Sequence, residues 1–359
     1  MAEARSRPTL DTVARAAGVS KATVSKVLNG RREVAASTRE RVLATVAELE
    51  YAPTTGSRVA QHRRSVTVVF SAVVDPYSAQ VLSGLLSAGA DHGVDVVVTH
   101  VPGAREAQGR RTDELGPEWF RSLARQGHVG VIGVTTALTH AQVQACADAG
   151  LQLVVIDPVS VGSESAEGII TVSATNWAGG MQATEHLLEL GHRRIGFAGG
   201  LPASRPGGHR LHGHTAALTT WGQAVDRTLI RHEGFSYEDG RAMGDALLDL
   251  PQPPTAIVAG SDTAALGVME AAHKRGLRLP EDLSIVGFDD TPLAVWTSPQ
   301  LTTVRQPMRE MGRQAVRTLL SIADGARPET HHFELATTLV VRTSTCRVDA
   351  DDQVATTAR

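Results

Sequence analysis

Residues 9–34 read TLDTVARAAGVSKATVSKVLNGRREV. Thr9 is placed to cap a helix whose inward positions are Leu10, Val13, Ala14 and Ala17, one face at helical spacing. Gly18 follows at once, where a tight turn needs a positive φ or no side chain, and Ala14-x-x-x-Gly18 lets the next helix pack close. Ser20 caps that second helix, Val24, Val27 and Leu28 face inward, and Asn29-Gly30 ends it. Ser37-Thr38-Arg39-Glu40 has the form of a capping box and opens a third helix with Val42, Val46 and Leu49 inside. Two short helices across a glycine turn, completed by a third, predict a helix-turn-helix module over 1–52. The second helix exposes Lys21, Ala22, Ser25 and Lys26 near its start, the end that reaches base edges. The hydroxyls of Ser20, Thr23 and Ser25 and the first N–H groups of that helix suit phosphates. A plain helical bundle with a basic face is the alternative; turn, caps and charge agree better with DNA.

The charge of the whole chain points the other way, since 359 residues carry a formal −3. The average hides a split. Residues 1–64 hold 12 Lys/Arg and 6 Asp/Glu, a net of +6, which leaves 23 basic and 32 acidic residues, a net of −9, for the remainder. Salt screens charge over roughly 10 Å, so a basic module attracts phosphate whatever the distant total. Length predicts two or three domains, and 42% hydrophobic with 20% charged residues predicts globular cores. No run of 18 apolar residues is present and MAEARSRPTL lacks an apolar signal core, so neither a membrane span nor export is expected; the expected place is the cytoplasm, on the nucleoid. Cys146 and Cys346 stand far apart without metal-ligand spacing and read as two reduced thiols.

Pro53 stops the third helix, and TTGSRVAQHRR (54–64) is polar, basic and too short to hold a helix alone in water. From Ser65 apolar runs alternate with helical stretches. VTVVF (66–70), VDVVV (94–98), VGVIGV (129–134) and LQLVVI (151–156) read as buried parallel strands, as do RIGFAG (194–199), TAIVAG (255–260) and LSIVGF (283–288). Helices are expected near 78–92, 139–149, 175–190, 208–221, 238–250 and 261–276. Two such series predict doubly wound α/β architecture in two lobes, about 65–173 with 301–327 and about 174–300 with 328–347, the chain crossing near Ser173, Gln300 and Pro328. A ligand cleft should lie beyond the strand ends, where Asp75, Asp157, Ser261-Asp262 and Asp289-Asp290 cluster. Carboxylates and amides there, with Arg210 as a fork of donors, suit a polyhydroxyl ligand such as a sugar; Tyr77, Phe235, Tyr237 and Trp296 offer flat walls. Each residue has a structural alternative: Asp262, for one, is placed to cap the helix that follows. Residues 348–359 (VDADDQVATTAR) read as a disordered tail without heptads, which favours a dimer over a tetramer.

Other signals carry less. His209, His212 and His214 lack Cys or carboxylate company and read as a solvated loop, not a metal site. The Gly-Gly pairs at 179–180, 199–200 and 207–208 make neither a P-loop nor a dinucleotide fingerprint. No nucleophile, base and orienting acid pair by spacing, so no catalytic residues and no cofactor are expected. A solute receptor would share the core but needs a signal peptide and no head, and a sugar-processing enzyme would need chemistry that is not evident.

VARAAGVSKATVSKVLNG and VAASTRERVLATVAELEYAP closely resemble the DNA-binding head of the lactose-repressor (LacI/GalR) family, without gaps over Thr9–Pro53. By that resemblance Lys21, Ala22 and Lys26 occupy base-reading positions, while Thr9, Thr23, Ser25, Asn29 and Tyr51 contact or position the backbone. It also implies that 53–64 is a hinge helix formed on DNA, with Arg58 at the family's Arg, Ser57 in place of a small apolar residue and Ala60 where a leucine usually wedges the minor groove. HLLELGHRRIGFAGG, SDTAALGVMEAAHKRGLRLPEDLSIVGFDD, SPQLTTVRQPMREMG and TTLVVRTST resemble the periplasmic-binding-protein-type core of the same family over Ser65–Arg347. The effector Arg then matches Arg210, the Asn-Asp pair appears as Ser261-Asp262, the effector Asp matches Asp289, a pocket Gln matches Gln306 and an aromatic matches Phe235. The implied function is a homodimeric regulator, a repressor of carbohydrate utilisation, that binds a near-palindromic operator and answers to a sugar effector.

Overall fold

A computed structural model describes residues 8–28, 31, 33–49, 51, 64–71, 75–101, 115–161, 169–201, 203–327 and 329–348. Asn29-Gly30, the hinge residues 53–63 with Ser57, Arg58 and Ala60, and the tail 349–359 lie outside the described residues. The chain divides into a head, 1–63, and a body, 64–359.

In the head, α1 (Leu10–Ala16) starts on a capping box: Thr9 Oγ1 accepts from the Thr12 N–H and Thr12 Oγ1 from the Thr9 N–H. It stops in a Schellman motif, in which the Val19 N–H reaches the Ala14 carbonyl and Gly18 takes φ +62°. That left-handed residue turns the chain into α2 (Lys21–Leu28), whose first turn Ser20 caps through the Thr23 N–H at 3.1 Å. Helix α3 (Ala36–Glu48) differs from the expected start. It begins at Ala36 behind Ala35 with no side-chain cap, because the Arg39 N–H already closes the first turn on the Ala35 carbonyl; Ser37 is thereby inside the helix and cannot cap it. Val13, Ala14, Ala17, Val24, Val27, Val42 and Tyr51 form the head core, with Leu10, Leu28, Val46 and Leu49 packed at its edge. Arg41 Nε donates to the Ala17 carbonyl at 3.1 Å and ties α3 to the end of α1.

The body runs β1 (Ser65–Phe70), α4 (Pro76–Asp91), β2 (Asp95–His100), α5 (Pro117–Arg125), β3 (His128–Val134), β4 (Ala137–Leu138), α6 (His140–Asp148), β5 (Gln152–Ile156), β6 (Ser160–Val161), β7 (Ile170–Ala174), α7 (Asn176–Glu189), β8 (Ile195–Ala198), α8 (Arg205–Thr220), β9 (Ile230–Arg231), α9 (Tyr237–Leu248), β10 (Ala256–Ala259), α10 (Asp262–Lys274), β11 (Ser284–Asp289), α11 (Leu293–Trp296), β12 (Thr302–Arg305), α12 (Met308–Ala323), β13 (His332–Leu335) and β14 (Thr338–Val340). One sheet has the order β13-β7-β5-β3-β1-β2 and is parallel throughout; the other, β14-β12-β11-β10-β8-β9, is parallel except for β14 against β12. In each, strand order reverses beside the first strand of the series (β1 or β8), which opens a crevice at the strand C-termini.

The crossings between lobes lie elsewhere than expected in two of three places. The first follows β7, at Thr175. The second is at Gln306–Pro307, not Gln300, because the buried run Thr302, Thr303 and Val304 extends the second sheet beside β11. The third is at Ala336–Thr337, not Pro328, because β13 pairs with β7 in the first sheet before β14 joins the second. The apolar stripe of α12 (Met308, Met311, Ala315, Val316, Leu319) fills the first-lobe core with Val66, Phe70, Leu85 and Ile132. Burying one such side chain contributes roughly 1.5–3 kcal/mol. Strand β2 is also not buried as read: it is the sheet edge, with Val97 42% and Val98 40% exposed. In the second lobe α7 and α8 cross closely, since a Cβ at Gly180 would collide with the Arg210 carbonyl and one at Gly213 with the Trp177 carbonyl.

Candidate DNA-reading helix and ligand cleft

Lys21, Ala22 and Lys26 stand exposed on α2, and Val24 and Val27 hold its opposite face in the head core. Lys21 Nζ lies 2.5 Å from Asp11 Oδ2, and Lys26 Nζ lies 3.2 Å from Glu33 Oε2. Thr9 and Ser20 spend their hydroxyls as caps, Thr23 Oγ1 meets Ser20 Oγ at 2.9 Å, and Ser25 is half-buried. Tyr51 is a core residue of the head, 9% exposed. Asn29, Ser57, Arg58 and Ala60 fall outside the described residues.

In the body, Arg210 is the organising side chain. It projects from α8, buried at 4% exposure. Nε donates to Asn176 Oδ1 at 2.7 Å, Nη1 donates to the Gly260 carbonyl at 2.5 Å, and Nη1 lies 3.9 Å from Asp289 Oδ1. Its Cζ stands 3.8 Å from the centroid of Phe288 and 5.7 Å from that of Phe235, so the cation lies over aromatic faces. Asp289 closes β11 with φ +119° and accepts from Gln306 Nε2 at 2.6 Å. From the first lobe, Asp157 follows β5 with φ +44° and accepts from the Tyr77 hydroxyl at 2.6 Å. Strained carboxylates at two strand ends face one buried guanidinium.

Burial sets the electrostatics. It raises the Asp289 carboxyl well above its ordinary range, and Arg210 pulls it partly back. Burial likewise raises Asp157, opposed by the Tyr77 hydroxyl and Arg210. Tyr77 is raised by burial first and then by the neighbouring Asp157. Two buried acceptors in this group, Asp157 Oδ1 and Gln306 Oε1, make no hydrogen bond of normal geometry, although Ser173 and Asn176 lie close enough to Asp157 to hold its carboxyl down. An unpaired buried acceptor costs about 1–3 kcal/mol, so both call for a donor. A cavity of about 640 Å³ reaches the lobe junction and is lined by Gln306 together with Asp290, Thr291, Arg305, Met308 and Arg309.

Several expected ligand residues have internal duties instead. Ser261, not Asp262, caps α10: its Oγ accepts from the Ala264 N–H and donates to the Phe235 carbonyl. Asp262 is fully buried, with Oδ2 taking the Thr291 N–H and hydroxyl and Oδ1 the Thr303 hydroxyl; burial pushes its pKa up to about 6. Asp75 caps α4 through Ser78. Trp296, 75% exposed, and Tyr237, 37% exposed, stand outside the buried Arg210 cluster. The histidines 209, 212 and 214 are not a loop. All three lie on α8, which starts earlier than expected, behind Ser204, and His214 is buried against Thr184 Oγ1 at 2.9 Å with its pKa lowered by burial to about 4. Sequence reasoning missed Asn176 and Phe288. The first opens a helix where an ordinary N-terminal residue is expected, and the second reads as strand core.

A three-helix head with an exposed basic second helix, followed by two doubly wound lobes around a buried polar cluster, defines a ligand-responsive DNA-binding regulator. Residues 9–54 match the model described as bacterial regulatory proteins, lacI family, and residues 184–345 match the periplasmic binding protein-like domain. The HTH-type transcriptional regulator CelR of Thermobifida fusca is 34% identical over 350 residues, 95% of this chain and 99% of that protein. The HTH-type transcriptional repressor CytR of Escherichia coli (strain K12) is 33% identical over 342 residues, 94% of this chain and 96% of that one. Among solved structures, the Lac repressor dimer bound to operator and the anti-inducer ONPF superposes with a TM-score of 0.74 at 30% identity, covering 94% of this chain and 99% of that one. The CelR–cellobiose complex gives 0.68 at 33% identity, covering 94% and 100%. The chain belongs to the LacI family of bacterial transcriptional regulators; it is a DNA-binding regulator and not an enzyme.

Proposed function

We propose that the protein is a homodimeric repressor of a carbohydrate-utilisation operon, acting on the nucleoid, and that a sugar bound between its lobes controls its grip on a near-palindromic operator. The observation that carries the effector assignment is the Arg210–Asn176–Asp289–Gln306 network facing Tyr77–Asp157, with Asp157 Oδ1 and Gln306 Oε1 unpaired. Both waiting atoms are acceptors, and hydroxyl groups are donors that satisfy them. Phe235, half-buried beside Arg210, offers an apolar face for a pyranose, while the buried Phe288 ring backs the Arg210 guanidinium. Relatives agree in kind: one neighbour is a complex with cellobiose, and a relative from Haemophilus influenzae is named a ribose operon repressor.

Lobe movement is the proposed signal. The crossing at Thr175 is bonded to that at Thr337, with the Thr337 N–H and Thr175 Oγ1 3.0 Å apart, so two of the three strands of the hinge turn together. The segment 53–64 is proposed to order on DNA, where Ala60 fills less of an opened base step than leucine does, so that either Val59 helps to fill it or the DNA is bent less. Among the described residues no helix is long and apolar enough to cross a membrane. A thermal-shift screen of mono- and disaccharides, sugar phosphates and purines tests the reading. A ligand at 100 times its Kd adds about 2.7 kcal/mol. A sugar hit that D289A abolishes supports the assignment, and a hit only among purines replaces it.

A further inference from the structure

The two lysines placed at base-reading positions do not stand alone, and among the described residues one of their partners has no other role in the fold. Asp11, beside Lys21, lies in the first turn of α1, where an acidic residue is favoured anyway. Glu33, beside Lys26, lies between α2 and α3, 66% exposed, with its Oε2 3.2 Å from Lys26 Nζ. An exposed pair of this kind contributes little to stability. Against a phosphate backbone a carboxylate is repelled, so a surface built only for general DNA affinity has no use for it.

The geometry points to a reading device: Lys26 and Glu33 together recognise one G·C pair, the ammonium on guanine O6/N7 and the carboxylate on the cytosine N4 amino group. In a G·C pair the O6 acceptor and the N4 donor are hydrogen-bonded to each other, roughly 2.9 Å apart. An ammonium and a carboxylate held 3.2 Å apart match that spacing with opposite polarity. Lysine alone reads the purine only, whereas the pair reads both edges and opposes an A·T pair, whose major-groove amino and carbonyl groups are reversed. Glu33 is then a specificity residue that lowers affinity for all other DNA. This rests on α2 being the DNA-reading helix.

The test is selection of sites from a random duplex library by the wild type, E33Q and E33A, followed by titration of the chosen site in increasing salt. Exposure of Glu33 predicts that both variants keep the wild-type melting temperature. The expected result is a loss of preference of at least about fivefold at one G·C pair per half-site, the other positions unchanged. Variants that bind every sequence more tightly, with preferences intact and a salt slope steeper by about one, overturn the proposal and leave Glu33 as a charge damper. Unchanged preferences and affinity overturn it as well. A wild type that selects no site at all rejects the DNA-reading helix itself, a failure told apart because the variants are not needed to see it.

Discussion

Asp289 carries a cleft carboxyl that can be replaced without emptying space. Replacing it with Asn keeps an oxygen for Gln306 Nε2 and removes the carboxyl beside Arg210. The expected outcome is operator binding within about twofold of wild type and loss of the ligand-induced change, read by fluorescence anisotropy with and without effector; a normal response removes Asp289 from the pocket. Asp262 makes a different, pH-borne prediction. Its folded pKa, about 6, lies above the unfolded value of 3.8, so its contribution to stability is fully present below pH 3.8 and is lost as pH rises through 6. The urea midpoint of the wild type relative to D262N should therefore fall across pH 4–6.5 and level off above it. A flat difference shows that the three threonine donors already hold Asp262 ionised. The residues Arg210, Asp289 and Gln306 were reachable because a family pattern pointed to them. Asn176 and Phe288 were not, since their role arises only where α7, α8 and β11 meet.

At the scale of elements, the contact of α7 with α8 sets the aim of Arg210. Glycines 180 and 213 let the helices touch backbone to backbone. Gly180→Ala should push α8 outward, lowering stability by about 1–3 kcal/mol and weakening effector binding more than operator binding. Urea denaturation and calorimetry measure the two effects, and an unchanged effector Kd disconnects the crossing from the site. Elements that punctuate themselves were legible: the first head helix ends at Gly18, and β1, β3, β5, β10 and β11 are short apolar runs. Strand β12 was not. Its run Thr302-Thr303-Val304 looks half-polar, yet both threonines are fully buried, their hydroxyls engaged by Asp262 and by residues 342–345. Polar side chains satisfied inside a core carry no periodic signal. The loop reading of the histidines of α8 was at odds with the helix expected over 208–221, and the structure sides with the helix.

For the whole molecule, the exposed valines of β2 matter most. Val97 and Val98 lie at a sheet edge, an arrangement that single-chain proteins usually blunt with charge. We expect V98D to sediment as a monomer and to lose most operator affinity, since two half-sites then no longer act together; a dimeric V98D places the contact elsewhere. Two lobes were visible as two series of strands, but their boundaries were not, because a crossing is fixed by which sheet accepts the next strand.

That threading has a consequence during synthesis. The first lobe lacks a core helix until α12 has left the ribosome and a sheet edge until residue 335 has, whereas every described residue of the head core is made by Tyr51. A stop codon anywhere between residues 64 and 307 therefore removes α12 from the first lobe while keeping the head sequence whole. Such fragments lose ligand control altogether, however much of the second lobe they retain.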